Sequence, residues 1–258
     1  MINTWIITGD THGDMSRFSR LSVEDPNATA VIILGDAGCN YYKNKKDDRT
    51  KQALLDTNMT FYLVRGNHED RPENITGMIS VYDEEVQGEV FMEEAFPAIK
   101  YLKDGGIYVI NGHKTLVIGG AYSVDKWYRL GMGYQWFPQE QLTTDEMAMI
   151  ETNIKGQHFD FVLSHTCPIS WEPVDLFLRG IDQSSVDKSM EQWLDSLKDK
   201  IDWTVWLFGH YHADRLERPG VEMFYREIED MDTIWNRWTS GKELDWWLDK
   251  SPNFDEGV

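Results

Sequence analysis

The sequence predicts an α/β protein in which largely parallel strands are linked by helices. Two observations predict it. Short apolar runs alternate with polar stretches of helical length, the pattern of strands joined by crossover helices. Several of those runs also end in Gly or Ser followed at once by Asp, Asn or His. In open α/β sheets the carboxyl ends of strands share one edge, and that edge hosts sites.

The elements follow in order. Residues 5–8 read as a first strand, residues 15–21 as a helix, 31–34 as a short buried strand, 47–56 as a helix and 61–64 as a third strand. A second set of strands is expected at 107–110, 115–118, 159–163 and 205–208. Asn111-Gly112 between two of these runs predicts a hairpin, because Asn-Gly favours a tight type I′ turn. Residues 143–154 and 186–197 read as helices; the first is taken to open at Thr144, with Met147 three residues on, which is only half of a capping signal. No internal repeat or low-complexity linker interrupts the chain.

From residue 215 the character changes, with Trp235, Trp238, Trp246 and Trp247 set among acids. The Trp pattern fits an amphipathic helix packed on the body better than a disordered tail. The expected organisation is a domain over 1–214 and a C-terminal extension, 215–258, packed on it. Core packing is the plainer role for these indoles and a ligand platform the sharper one.

With 258 residues, 41% of them hydrophobic and 27% charged, the chain has ordinary globular composition and room for one large core. No stretch approaches the roughly 20 apolar residues of a membrane-spanning helix, so no membrane partner is expected. Residues 1–8 are apolar but short and carry no basic leader, so they read as a strand and not a signal peptide. The 25 Lys and Arg against 44 Asp and Glu leave a net charge of −19. Such a surface repels long nucleic acid but leaves room for a small phosphorylated substrate, since bound cations can reverse the sign inside a pocket. Two cysteines, Cys39 and Cys167, imply no disulfide framework and point to a reducing, cytoplasmic compartment.

Five of the seven histidines fall in blocks that each close a strand-like run. The blocks are Gly9-Asp10-Thr11-His12-Gly13-Asp14, Gly35-Asp36, Arg65-Gly66-Asn67-His68-Glu69, Ser164-His165 and Gly209-His210-Tyr211-His212. If the strands share a sheet edge, these loops bring Asp, Asn and His into one crevice. Glycine before the polar residue lets the chain turn sharply and approach an ion closely. Taken singly, each histidine would more often be a packed or surface residue; the joint pattern favours ligands. Mixed carboxylate and imidazole donors suit Mn, Fe, Zn, Co or Ni better than Ca or Mg. Asp36, the lone carboxylate of its loop, is the natural bridge between two cations. His113 and His158 lack such support and read as structural or exposed. No Gly-x-Ser-x-Gly elbow surrounds Ser164, and no phosphate-cradling P-loop occurs.

These five blocks, in this order, resemble the calcineurin-like metallophosphoesterases: Asp-x-His, Gly-Asp, Gly-Asn-His-Asp/Glu, a later His, and Gly-His-x-His. The resemblance implies a four-layer αββα sandwich with two facing mixed sheets. It implies one metal on Asp10, His12 and His212, a second on Asn67, His165 and His210, and Asp36 bridging them, with manganese the expected ion. It further implies hydrolysis of a phosphate ester by a metal-activated hydroxide, with His68 as general acid and Asp10 supporting it, either by a hydrogen bond or through the metal shell.

The block from Arg65 to Glu69 also resembles that of the serine/threonine protein phosphatases. Those enzymes continue the second block with Asp-Arg-Gly; here Asp36 is followed by Ala37-Gly38-Cys39-Asn40, which speaks against protein phosphatase activity. Residues 121–141, rich in aromatics and glycine, resemble an insert of bacterial and phage members of the family. They read either as a packed surface loop or as a pocket wall, with Arg129 and Lys126 joining Asn67 and His68 as phosphate contacts and Tyr122 or Trp127 stacking on a base. The expected substrate is a small-molecule or peptide-borne phosphate mono- or diester. The alternatives are a nuclease or nucleotide pyrophosphohydrolase on the same scaffold, and a non-catalytic metal-bound scaffold, which the intact blocks disfavour. A homo-oligomer formed through the tail is a further expectation.

Overall fold

The computed structural model describes residues 1–240. In chain order the first half runs β1 (Thr4–Thr8), α1 (Ser16–Ser19), β2 (Thr29–Ile33), α2 (Lys45–Leu55), β3 (Thr60–Leu63), β4 (Met78–Asp83), β5 (Gly88–Glu93), β6 (Ile99–Leu102), β7 (Ile107–Ile110) and β8 (His113–Ile118). The second half continues with α3 (Lys126–Met132), α4 (Thr144–Ile154), β9 (His158–Ser164), α5 (Ser189–Lys198), β10 (Asp202–Phe208), β11 (Arg215–Arg218), β12 (Val221–Met223), β13 (Ile228–Asp230) and α6 (Met231–Thr239).

The strands form a 7-stranded sheet in the order β13-β1-β2-β3-β6-β5-β4 and a 6-stranded sheet in the order β11-β12-β10-β9-β8-β7. β1, β2, β3 and β6 run parallel in the first sheet, and β8, β9, β10 and β12 in the second, with antiparallel strands at the edges.

Successive residues of a strand face opposite sides, and that alternation divides the apolar side chains among three cores. Ile7, Ile32, Tyr62, Phe161, Leu163 and Leu207 meet between the sheets. Ile6, Val31, Ile33 and Phe61 turn the other way, onto Phe18 of α1 and Leu54 of α2. Phe159, Val162, Trp206 and Phe208 pack outward on Met147 and Ile150 of α4 and Leu194 of α5. Three cores between two sheets and two helical layers make the four-layer αββα arrangement. Because the central strands are buried on both faces, they appear in the sequence as unbroken apolar runs.

Ile110 pairs with His113, leaving Asn111-Gly112 as the two-residue turn, and both turn residues have positive φ. The expected helix starts shift by a few residues. The α4 cap is Thr143, not Thr144: its hydroxyl accepts from the Glu146 amide and the Glu146 carboxylate accepts from the Thr143 amide, a complete capping box.

Residues 215–240 supply β11 and β12 to one sheet, β13 to the other, and α6. Met231 and Ile234 of α6 lie in the core between the sheets. Trp235 packs against His113 and Phe161 at ring distances of 4.3 and 5.6 Å, and the Trp238 indole donates to Glu222. Trp246 and Trp247 lie outside the described residues. Among the described residues no helix is long and apolar enough to cross a membrane.

Candidate metal centre

Every block falls just past the carboxyl end of a parallel strand: Asp10 and His12 after β1, Asp36 after β2, Asn67 and His68 after β3, His165 after β9, and His210 and His212 after β10. The loops are stitched directly to one another. Thr11 and His12 amides donate to Asp36 O at 3.3 and 2.8 Å, the Gly209 amide donates to His165 O at 3.0 Å, and the His165 amide donates to Ile118 O at 3.1 Å. Glycine permits this closeness. A Cβ at Gly66 would land on the Asp36 carboxylate, and one at Gly35, which has φ +97°, on the His165 ring.

Five of the seven donors, with His68, come together in overlapping groups. Asp10, His12 and His212 have donor atoms within 4.8 Å of one another, as do Asp10, Asp36 and His165, and His12, Asp36 and His68. His212 Nε2 lies 3.3 Å and His12 Nε2 3.8 Å from Asp10 Oδ2, and the two imidazole nitrogens are 2.9 Å apart. Asp36 Oδ2 is 3.6 Å from His165 Nε2 and 3.9 Å from His12 Nδ1, so it stands between the two halves of the cluster. Asn67 Oδ1 lies 2.8 Å from His165 Nε2 and 3.1 Å from His210 Nδ1.

The donor atoms are held in place from behind. The Asn67 amide nitrogen donates to Ser123 Oγ at 2.9 Å, and that hydroxyl donates to Glu140 at 2.6 Å, which turns Asn67 Oδ1 toward the histidines. His165 Nδ1 lies 2.8 Å from Leu34 O. A carbonyl only accepts, so Nδ1 carries hydrogen and Nε2 of the neutral ring presents a lone pair to the cluster. The Asp36 carboxylate accepts from the His68 amide at 2.7 Å, and the Asp10 carboxylate from the His210 amide at 3.0 Å.

This arrangement fits divalent cations. The His165 Nε2 lone pair faces an amide oxygen whose nitrogen is already committed, an acceptor opposite an acceptor, unless a proton or a cation intervenes. Among the described residues Asp10 Oδ2 is buried with no hydrogen bond and with the His212 ring 3.3 Å beside it, a costly state for an anionic oxygen in a poorly solvated site. Without a cation, protons must serve. Burial works against charging His165, but Asp36 overcomes it and raises the ring to about 9. Burial together with the charge of His165 pushes His210 down to about 3. Burial would raise Asp10 and Asp36, yet the neighbouring imidazoles hold both below the usual carboxylate range. Carboxylate, imidazole and amide oxygen together suit first-row divalent ions.

The other predicted residues have definite places. His68 sits at the rim, its ring 5.2 Å from that of His12 and its Nε2 3.8 Å from Asp125 Oδ1. Asp10 faces His12 and His212, so of the two ways it could support His68 its position favours the one through the metal shell. Arg129 is 2% exposed; its Nη1 lies 3.4 Å from Ser123 Oγ, its Nη2 has no hydrogen-bond partner, and its guanidinium covers the Tyr41 ring. Lys126 Nζ rests 4.0 Å above the Trp136 ring, and Trp127 is 69% exposed. His113 is wedged against Trp235, and His158 pairs with Asp202, both away from the cluster. Arg65 is spent on structure, bonding Asp104, Glu140 O and Gly119 O. Sequence reasoning missed Ser123, Asp125 and Glu140; their only signal is membership in the segment that follows β8, whose carboxyl end opens on the same edge.

Residues 4–214 match the family described as Calcineurin-like phosphoesterase. The chain belongs to that family. Calcineurin-like phosphoesterases generally use divalent metals, and in this one the carboxylates and imidazoles sit where such ions could be held. Among solved structures, the crystal structure of TT1561 of Thermus thermophilus matches at 13% identity, covering 89% of this chain and 98% of that chain, with a TM-score of 0.47. No curated protein was found to match the chain.

Proposed function

We propose that the protein hydrolyses a phosphate ester at a dinuclear centre, with manganese the first ion to test. Asp10, His12 and His212 would hold one cation, Asn67, His165 and His210 the other, and Asp36 would touch both. The observation that carries this reading is the facing of lone pairs across the cluster, above all His165 Nε2 against Asn67 Oδ1 at 2.8 Å. When bound, the cations supply Lewis acidity, offsetting charge on the phosphoryl oxygens and acidifying the attacking water.

The chain's own residues do the rest. His68 stands at the mouth of the cluster with its backbone amide tied to Asp36, which fixes where the ring can reach. Its ring hands a proton to the departing oxygen. Burial, opposed by Asp36, holds His68 below its ordinary value and makes it the stronger acid, while Asp125 beside Nε2 favours the protonated ring. The Glu140–Ser123–Asn67 chain keeps the amide oxygen aimed at the centre. The substrate is a small-molecule or peptide-borne phosphate ester. Buried, unpaired Cys39 and Cys167 agree with a reducing cytoplasmic compartment.

The test is elemental analysis of the protein, paired with manganese-dependent hydrolysis of chromogenic esters by wild type and His68→Ala. Two ions per chain are expected, with metal retained and rate reduced about 10²–10⁴-fold in His68→Ala. A chain that takes up no metal after reconstitution overturns the reading, and full activity in His68→Ala removes the acid.

A further inference from the structure

Among the described residues two cavities open onto the cluster, and His68 is the residue their walls share. The first, about 690 Å³, reaches His12 and is walled by Tyr41, Tyr42, Lys46 and Tyr134. Lys46 Nζ lies 4.2 Å from the Tyr42 ring, so this chamber offers aromatic faces with a cation beside them. The second, about 420 Å³, reaches Asp36, Asn67, His210 and His212. It is also walled by apolar Leu176, Phe177, Ile181 and Val186 and by Tyr122 and Tyr211. The segment after β8 contributes to both: Tyr122, Val124 and Asp125 to the second chamber, Gly133, Tyr134 and Gln135 to the first.

A phosphomonoester has one substituent to house; a diester has two. We propose that the substrate is a phosphodiester whose two esterified groups occupy the two chambers, an uncharged aromatic or aliphatic group lying in the chamber walled by Phe177 and Ile181. This rests on the phosphoesterase reading above and narrows its substrate class. In the reaction, water adds to phosphorus, one ester P–O bond breaks, and the proton passes to the departing alkoxide, giving a monoester and an alcohol.

Two features of the apolar chamber exclude a second phosphate there. Its cation, Lys188, is already spent, donating to both oxygens of Glu172 at 2.8 and 2.7 Å beneath the Phe177 ring. Beside it Glu191 is 4% exposed; one oxygen accepts from Thr166 at 2.9 Å and the other has no partner among the described residues. Burial pushes Glu191 up to about 7, so its open oxygen offers an anion no positive charge to pair with. A pyrophosphate bond would carry its second phosphate against these acids.

The experiment measures kcat/KM with manganese on three probes: para-nitrophenyl phosphate, bis(para-nitrophenyl) phosphate and a nucleoside diphosphate. Enzymes are wild type, Ile181→Trp and Val186→Trp, which fill the apolar chamber at two separate wall positions, and Val174→Trp, outside its walls. Folding and metal content are checked for each. The expected result is preference for the diester, with the diester-to-monoester ratio falling about tenfold or more in a chamber-filling variant and holding in Val174→Trp. Preference for the monoester or the nucleoside diphosphate overturns the proposal and leaves phosphate ester hydrolysis standing, as does a ratio that neither chamber-filling variant moves. Silence on all three probes with two ions bound overturns the phosphoesterase reading, and the proposal falls with it.

Discussion

Gly66→Ala is the sharpest test of how the centre is assembled. Gly66 has no unusual φ, so alanine meets no conformational penalty there; what it meets is Asp36. An added methyl would overlap the Asp36 carboxylate and amide nitrogen, with Asp36 Cγ only 2.7 Å away. The obstacle includes backbone, and the Asp36 carbonyl is itself pinned by the Thr11 and His12 amides, so it has little room to retreat. Overpacking of this kind costs about 1–3 kcal/mol. Displacing the carboxylate also breaks its bond from the His68 amide, 2.7 Å long, and a hydrogen bond to a charged group contributes about 1.5–3 kcal/mol. The expected loss is therefore roughly 2.5–6 kcal/mol, a large part of the about 5–15 kcal/mol that holds a domain folded. Because Asp36 faces both halves of the cluster, manganese stoichiometry should fall as well. The assay is urea unfolding in chelator, followed by manganese titration. Gly131→Ala is the matched control: its Cβ meets nothing within 4 Å, and within α3 alanine should stabilise by up to about 1 kcal/mol. If Gly66→Ala unfolds within about 0.5 kcal/mol of wild type and binds manganese normally, the argument that glycine exists there to admit Asp36 is wrong.

Three further outcomes are expected. Ser123→Ala removes the acceptor that orients Asn67, and losing such a supporting group should weaken manganese binding about 10–100-fold; unchanged affinity by titration would show that Asn67 needs no such support. Arg129→Ala strips the buried guanidinium from Asp125, whose Oδ1 lies 3.9 Å from Nη1, and from the Tyr41 ring. The cost should be near about 3 kcal/mol, the low end for a broken buried pair because Asp125 keeps some solvent, which is about 6–12 °C in melting temperature; an unmoved melting curve would refute it. Arg71 holds Glu146 at 2.5 Å, and although burial opposes it, that bond and the Thr143 amide draw Glu146 from 4.5 down to about 2. A carboxylate with a depressed value stabilises the fold above its unfolded value and loses that contribution as pH falls. The stability gap between wild type and Arg71→Ala should therefore hold from pH 7 to about 4.5 and shrink toward pH 2; a gap flat across that window in urea titrations would remove the ion pair as its cause.

The sequence made the central strands and ligand loops legible for one physical reason. β1, β2, β3 and β10 each carry an unbroken, buried apolar run, and in β9 only half-buried Asp160 interrupts one; the residue types that follow are too specific to be ordinary loop composition. β4 and β5 lack that signature because they carry exposed and charged positions, as in Tyr82 and Glu89, and β6 lacks it because Lys100 interrupts a strand of only four residues. The α4 cap was misplaced by one residue because Thr143 and Thr144 are adjacent and only the backbone decides which lies outside the helix. Ser123, Asp125, Glu140 and Glu191 were invisible as site residues. Their roles depend on what lies opposite them across the fold, and no local spacing encodes that. The chambers are less legible still, since each is walled by segments far apart in the chain.

The centre also explains where the chain tolerates strain. Of the eight non-glycine residues with positive φ among those described, four are His12, Asp36, His210 and His212. Left-handed backbone costs an L-residue about 1–2 kcal/mol each, and such conformations persist only when the surroundings over-determine them. Here the surroundings are the loop-to-loop amide bonds and the glycines that let neighbouring loops touch, both anchored by three cores. The reward is geometry: these residues stand in the loops that follow β1, β2 and β10, from both sheets, and their donor atoms meet in one cluster. In the cation-free protein that convergence is unfavourable twice, in strained backbone and in lone pairs set against each other. On the proposed reading a divalent cation removes the second cost at once, so binding should raise the unfolding free energy with ion concentration, as any ligand of the native state does. The cluster is thus the part of the fold with least to gain from its own contacts, held ready by the parts with most.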